Sequence, residues 1–188
     1  MLGHQHKIAA MNVFVLGTGR CGTMTFVRAC EHLDNYTSGH ESRARLLGGE
    51  RFDYPDDHIE ADNRLSWFLG ELGRRHPEAL YVHLLRDPEA VTASFLRRWD
   101  STFRASIIRA FAHGVLTATA DWDDPEAVCR FYVDTVTANI EAFLATKQAM
   151  TLHLEEARQQ FPAFLERIGA QGDLTAAVAE WDVAHNAS

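Results

Sequence analysis

From Asn12 the chain reads NVFVL, a short apolar and β-branched run that stops at Gly17. From Thr23 the positions Phe26, Val27, Cys30 and Leu33 take the spacing of one helical face. This predicts a strand over 12–16, a glycine loop and a helix. A second run, LYVHLL over 80–85, follows a helix-like stretch over 64–75 and leads into Asp87-Pro88, a helix start with proline in the first turn. Beyond it Val91, Phe95 and Leu96 mark one helical face, and Phe103, Ile107, Ile108, Phe111 and Val115 another. A longer face over 125–148 carries Val128, Phe131, Tyr132, Val136, Ile140, Phe143 and Leu144. The run AMTLHL over 149–154 predicts a late strand, and Phe161, Phe164, Leu165 and Ile168 a helix that stops near Gly169. Strands separated by helices predict an α/β fold with a central parallel sheet of about four strands flanked by helices on both sides. The tryptophans Trp67, Trp99, Trp122 and Trp181 read as packing residues.

Nothing in the pattern divides the chain. Its 188 residues hold no repeat and no low-complexity linker, which predicts a single domain over 1–188, with 1–11, including His4 and His6, as a flexible leader. The 26 acidic residues outnumber the 18 lysines and arginines for a net charge of −8, which argues against nonspecific nucleic-acid binding. No apolar run reaches the length of a membrane span, and the first ten residues lack a signal-peptide pattern, so a cytoplasmic setting is expected. Cys21, Cys30 and Cys129 are an odd count at unrelated spacing, which supports neither a disulfide framework nor a metal site. Oligomeric state is not legible, because core and interface stripes share the same period.

The segment over 17–25, GTGRCGTMT, sits where a strand meets a helix, so loop amides and the positive helix end converge on an anion. Gly17 and Gly22 have the spacing of an ATPase-type phosphate loop, but Thr23 and Met24 stand where lysine and the magnesium-binding hydroxyl belong, which weighs against a kinase. Gly17, Gly19 and Gly22 also match the dinucleotide fingerprint, yet the required second strand is not apparent in DNYTSGHESRAR over 34–45. The remaining feature is a basic residue inside the loop, Arg20, followed by Cys21, Gly22 and Thr23, and further on Arg86-Asp87-Pro88 with Ser94 eight residues after the arginine.

These two linked elements resemble the sulfotransferases that use 3′-phosphoadenosine 5′-phosphosulfate (PAPS), of P-loop-like architecture. The resemblance implies that Gly19, Arg20, Cys21, Gly22, Thr23, Met24 and Thr25 bind the 5′-phosphosulfate, with Cys21 in the place of the usual serine. Arg86 and Ser94 hold the 3′-phosphate, and Arg20 stabilises the bridging oxygen as the sulfo group leaves. Sulfo transfer is then direct and metal-independent, to a hydroxyl or amine on a small-molecule or saccharide acceptor, leaving 3′-phosphoadenosine 5′-phosphate (PAP). Glu41 stands where many members carry a catalytic glutamate and is the leading base; His40, His58 and Glu60 are alternatives. Cys21 at a helix start also has the setting of a lowered thiol pKa. Two departures are Met24 in place of a hydroxyl residue and the lack of a basic C-terminal segment, which keep open a nucleotide-binding module without turnover and, less so, a small-molecule kinase. Phe52, Tyr54, Trp99 and Phe103 as an acceptor lining would suit a saccharide, a phenol or a lipid head group equally.

Overall fold

The computed structural model describes residues 11–99, 106–117 and 124–183. In chain order the strands and α-helices are β1 (Val13–Leu16), α1 (Thr23–Cys30), β2 (Thr37–His40), β3 (His58–Ala61), α2 (Leu69–Arg75), β4 (Leu80–Leu85), α3 (Pro88–Leu96), α4 (Ser106–Ala110), α5 (Pro125–Leu144), β5 (Gln148–His153), α6 (Ala157–Arg167) and α7 (Leu174–Ala179). The strands form one sheet in the order β2-β3-β1-β4-β5, and every pairing is parallel.

β1 occupies the centre because all four of its side chains are apolar and can be buried on both faces. Val13 and Val15 enter a core with Phe26 of α1 and Phe161 and Phe164 of α6, while Phe14 and Leu16 enter the opposite core with Val91 and Phe95 of α3 and Tyr132 of α5. The chain leaves β1 through α1 on one side of the sheet and returns to β4 through α2 on the other. Such a reversal opens a crevice at the carboxyl ends of the strands, and the residues following β1, β2, β3 and β4 meet there.

The sheet has five strands where the apolar pattern suggested about four. β2 (TSGH) is an edge strand without an apolar residue, and β3 (HIEA) hides a fully buried Glu60 among its positions, so neither shows a strand signature. The stretch over 64–75 divides into a 3-10 turn, Asn63–Trp67, and α2, the turn being capped by Asp62, whose carboxylate accepts from the Arg64 amide at 2.8 Å. The helix expected to Gln148 ends at Leu144, because Gln148 begins β5. Met11, assigned to the leader, donates its amide to Asp57 at 3.0 Å and packs against the core. Residues 1–10, Phe103 and Trp122 lie outside the described residues.

Candidate anion-binding site

The loop after β1 is held open by its neighbours. Tyr132 of α5 donates its hydroxyl to the Thr18 carbonyl at 3.0 Å, and the Ser66 hydroxyl donates to the Gly17 carbonyl at 3.3 Å. Gly19 and Gly22 adopt φ values of 82° and 94°, and a Cβ on Gly22 would lie 2.6 Å from Leu154 Cδ1, so the loop reaches α1 by a path that L side chains rarely follow. α1 begins with no side-chain cap and no acid in its first turn. Its leading amides and positive end therefore suit an anion. Gly19, Arg20, Gly22, Thr23, Met24 and Thr25 all line a cleft of about 520 Å³ in front of them.

Cys21 does not line that cleft. Its thiol is buried inside the loop beside the Gly19 amide, and burial pushes its pKa up to about 11. This corrects the expectation of a lowered thiol pKa, because loss of hydration outweighs the two loop amides and the nearby Arg86 and Arg20.

The two sequence elements meet directly. Arg20, in the left-handed region at φ 61°, donates from Nε to Ser94 Oγ at 3.1 Å, while Arg86 Nη1 donates to the Arg20 carbonyl at 3.0 Å. Arg98 Nη1 also reaches Ser94, donating to Oγ at 2.9 Å and to the carbonyl at 3.0 Å. Burial, and then the charges of Arg98 and Arg86, lower the Arg20 pKa, with a smaller contribution from Arg97, which lines the cleft as well. Arg97 and Arg98 were missed from sequence. The available signal was their position three and four residues after Ser94, which places them on the same side of the helix.

On the other side of the loop, His40 ends β2 and Glu41 follows it at φ 50°. The His40 ring shares a hydrogen bond of 3.1 Å between Nε2 and Thr23 Oγ1, Glu41 is ion-paired with Arg64, and both residues line the cleft. His58 and Glu60 do not line it. Glu60 is fully buried behind the turn and accepts from the Ser42 amide at 2.7 Å, from Ser42 Oγ at 2.6 Å and shares 3.0 Å with His58 Nε2. His58 is held on its other nitrogen by Thr37 Oγ1 at 2.7 Å, and its ring stacks on Tyr54. A carboxylate so enclosed has no path to an acceptor hydroxyl; the pair braces the turn that carries His40 and Glu41. Leu154, Trp181 and Val183 line the cleft as well, so Trp181 both packs on Phe26 and Phe161 and faces the site.

No protein-family model matches the chain, and no curated protein sequence matches it. Solved structures do resemble it. A sulfotransferase from Alicyclobacillus acidocaldarius matches with a TM-score of 0.58 at 14% identity, over 93% of this chain and 95% of that one. The sulfotransferase domain from the curacin biosynthetic pathway matches with a TM-score of 0.66 at 12% identity, over 94% of this chain and 79% of that one. Mouse sulfotransferase SULT7A1, solved in complex with PAP, matches with a TM-score of 0.54 at 13% identity, over 92% of this chain and 63% of that one. At such identities the likeness speaks for architecture: the five-stranded parallel sheet with its loop and flanking helices is a sulfotransferase-like fold.

Proposed function

We propose that the chain transfers a sulfo group from PAPS to a hydroxyl or amine of a small-molecule acceptor, releasing PAP. The observation that carries this reading is the gathering of Arg20 and Arg98 at Ser94, with Arg86 on the Arg20 carbonyl and Arg97 beside them, next to an uncapped helix start in a chain of net charge −8. A cleft lined by several guanidinium groups attracts anions, and a ligand phosphorylated at two ends answers the arrangement. The first-turn amides of α1, the hydroxyls of Thr23 and Thr25, and Arg20 would hold the 5′-phosphosulfate. Arg86 and Ser94 would hold the 3′-phosphate.

Bound PAPS supplies the sulfo group together with a phosphate leaving group. Arg20 places a fixed cation where negative charge develops on the departing bridging oxygen, which lowers the barrier. Glu41, or His40 in its place, takes the one proton released as the acceptor atom bonds to sulfur and the bond from sulfur to the bridging oxygen breaks; Glu41→Gln and His40→Asn decide between them by the loss in kcat. No helix among the described residues is long and apolar enough to cross a membrane, and three free, buried cysteines fit a reducing compartment such as the cytoplasm.

The test is thermal unfolding with PAP, with AMP and with ATP plus magnesium, followed by transfer from labelled PAPS. PAP at 100 times its dissociation constant adds about 2.7 kcal/mol, a rise of about 5–10 °C for a chain of this size. AMP gives much less, because it lacks the 3′-phosphate. A larger rise with ATP and magnesium, or none with any nucleotide, overturns the reading. PAP binding without transfer to any acceptor reduces it to a nucleotide-binding module.

A further inference from the structure

Beside the anion cleft runs a second depression of about 520 Å³, between the 3-10 turn Gly48–Phe52 with the residues before it and the segment from Trp67 into α2. This volume falls in the range of small-molecule sites. Arg64 and Ile107 belong to the walls of both depressions, so the two adjoin at Arg64, which is ion-paired with Glu41 of the anion cleft. The character changes across that boundary. Leu47, Phe68, Leu46 and Trp67 line the second depression with 85%, 46%, 37% and 37% of their surfaces exposed, a cluster of large apolar side chains open to solvent.

The charged side chains on its wall are already engaged within the protein. Arg51 pairs with buried Asp62 and donates to the Tyr54 hydroxyl at 3.3 Å. Glu71 holds Arg74 at 2.7 Å and Arg75 at 2.6 Å, and Arg64 is held by Glu41. The guanidinium groups of Arg51 and Arg75 lie over the rings of Phe68 and Phe52, 6.0 Å and 5.8 Å from their centroids, in cation–π contact with the apolar wall. A saccharide, which needs a polar partner for each buried hydroxyl, gains little from this surface. An apolar body gains its transfer free energy on every covered methylene.

Resting on the sulfotransferase reading above, the geometry points to a hydrophobic alcohol as the acceptor, its apolar body lying on Leu46, Leu47, Trp67 and Phe68 and its hydroxyl delivered at the Arg64–Glu41 boundary beside His40. The acceptor oxygen forms its bond to the sulfur of PAPS, the bond from that sulfur to the bridging oxygen breaks, and the hydroxyl proton passes to Glu41 or His40.

The experiment titrates 1-hexanol, 1-octanol and 1-decanol, with methyl glucoside as the polar comparison, into the full chain loaded with PAP, by calorimetry. Transfer rates from PAPS to the same alcohols, and PAP affinity itself, are measured in parallel. Each added methylene strengthens binding about 4-fold, on the order of 200-fold from hexanol to decanol. Leu47→Asp, at a site too exposed to affect folding, weakens decanol at least about 10-fold and leaves PAP affinity unchanged. PAP binding with no dependence on chain length, with methyl glucoside bound as well as decanol, or with Leu47→Asp silent, overturns the acceptor assignment and leaves the donor reading standing. Failure to bind PAP overturns both. A concentration-dependent dimer that is disrupted by Leu47→Asp, with no alcohol bound, assigns the surface to a second copy and overturns the inference.

Discussion

Replacing Arg86 with alanine removes two contributions that the structure lets one separate. The first is a guanidinium at the carboxyl end of β4, available to a phosphate in the cleft it lines. The second is the 3.0 Å hydrogen bond from Nη1 to the Arg20 carbonyl, which helps hold Arg20 at φ 61°. A hydrogen bond to a charged group contributes about 1.5–3 kcal/mol, so PAP affinity falls by roughly 10- to 150-fold. Arg86→Lys restores the charge without the fork and recovers less than half of that loss on a logarithmic scale. Calorimetry at fixed ionic strength reads both variants, with AMP as the internal control. AMP has no 3′-phosphate, so Arg86→Ala leaves its affinity nearly unchanged. Without nucleotide the variant loses one hydrogen bond and also relieves one of the charges that depress the Arg20 pKa. These effects oppose each other, and the melting temperature moves by less than about 4 °C. PAP affinity within 3-fold of wild type, or an equal loss for AMP, would refute the assignment of Arg86 to the 3′-phosphate.

Three further outcomes are expected. Glu60→Ala strands buried His58 and removes the acceptor of the Ser42 amide and hydroxyl, which costs about 2–4 kcal/mol, or roughly 4–16 °C of melting temperature, while Glu60→Gln keeps part of the network and loses less; equal melting of the two would show that the network carries no stability. His83, 2% exposed on β4, has its pKa lowered from about 6.5 to about 4 by burial and then by the charge of His153. Its folded-state pKa is below the unfolded one, so the stability it contributes is full above pH 6.5 and is lost as pH falls toward 4, by about 3 kcal/mol. Unfolding from pH 7 to pH 4 is therefore shallower in His83→Gln than in wild type, and parallel curves would count against a buried neutral imidazole. Cys21, Cys30 and Cys129 are all buried with raised thiol pKa values, so an aromatic disulfide reagent at pH 8 titrates none of them in the folded chain and all three in guanidinium; one fast thiol in the folded state would place Cys21 in the cleft after all.

What the linear sequence discloses depends on how local the physical cause is. β1 and β4 were legible because burial on both faces demands an unbroken apolar run, and Gly17 and Asp87-Pro88 mark where each ends. β2 and β3 were not, since their polar residues are satisfied at a distance: Glu60 by Ser42, 18 positions away, and His58 by Thr37, 21 positions away. The same division runs through the site. A loop that turns a strand into a helix within so few residues favours glycine at positive-φ positions, met at Gly19 and Gly22 though not at Arg20, and leaves the next amides bare, so Gly19, Arg20, Gly22 and Thr23 stand out within one short segment. Arg98 becomes legible only once Ser94 has been placed on a helix, and Trp181 only once the C-terminal turn is known to pack on α1. The apolar depression is the extreme case. Leu46, Leu47, Trp67 and Phe68 lie on irregular segments without a period, and shape alone brings them together. A phosphate cradle is built from backbone, which few sequences can arrange, and an acceptor surface from side-chain bulk, which many can. On the proposed reading, the donor half of the chemistry is accordingly written in a motif, and the acceptor half emerges only with the fold.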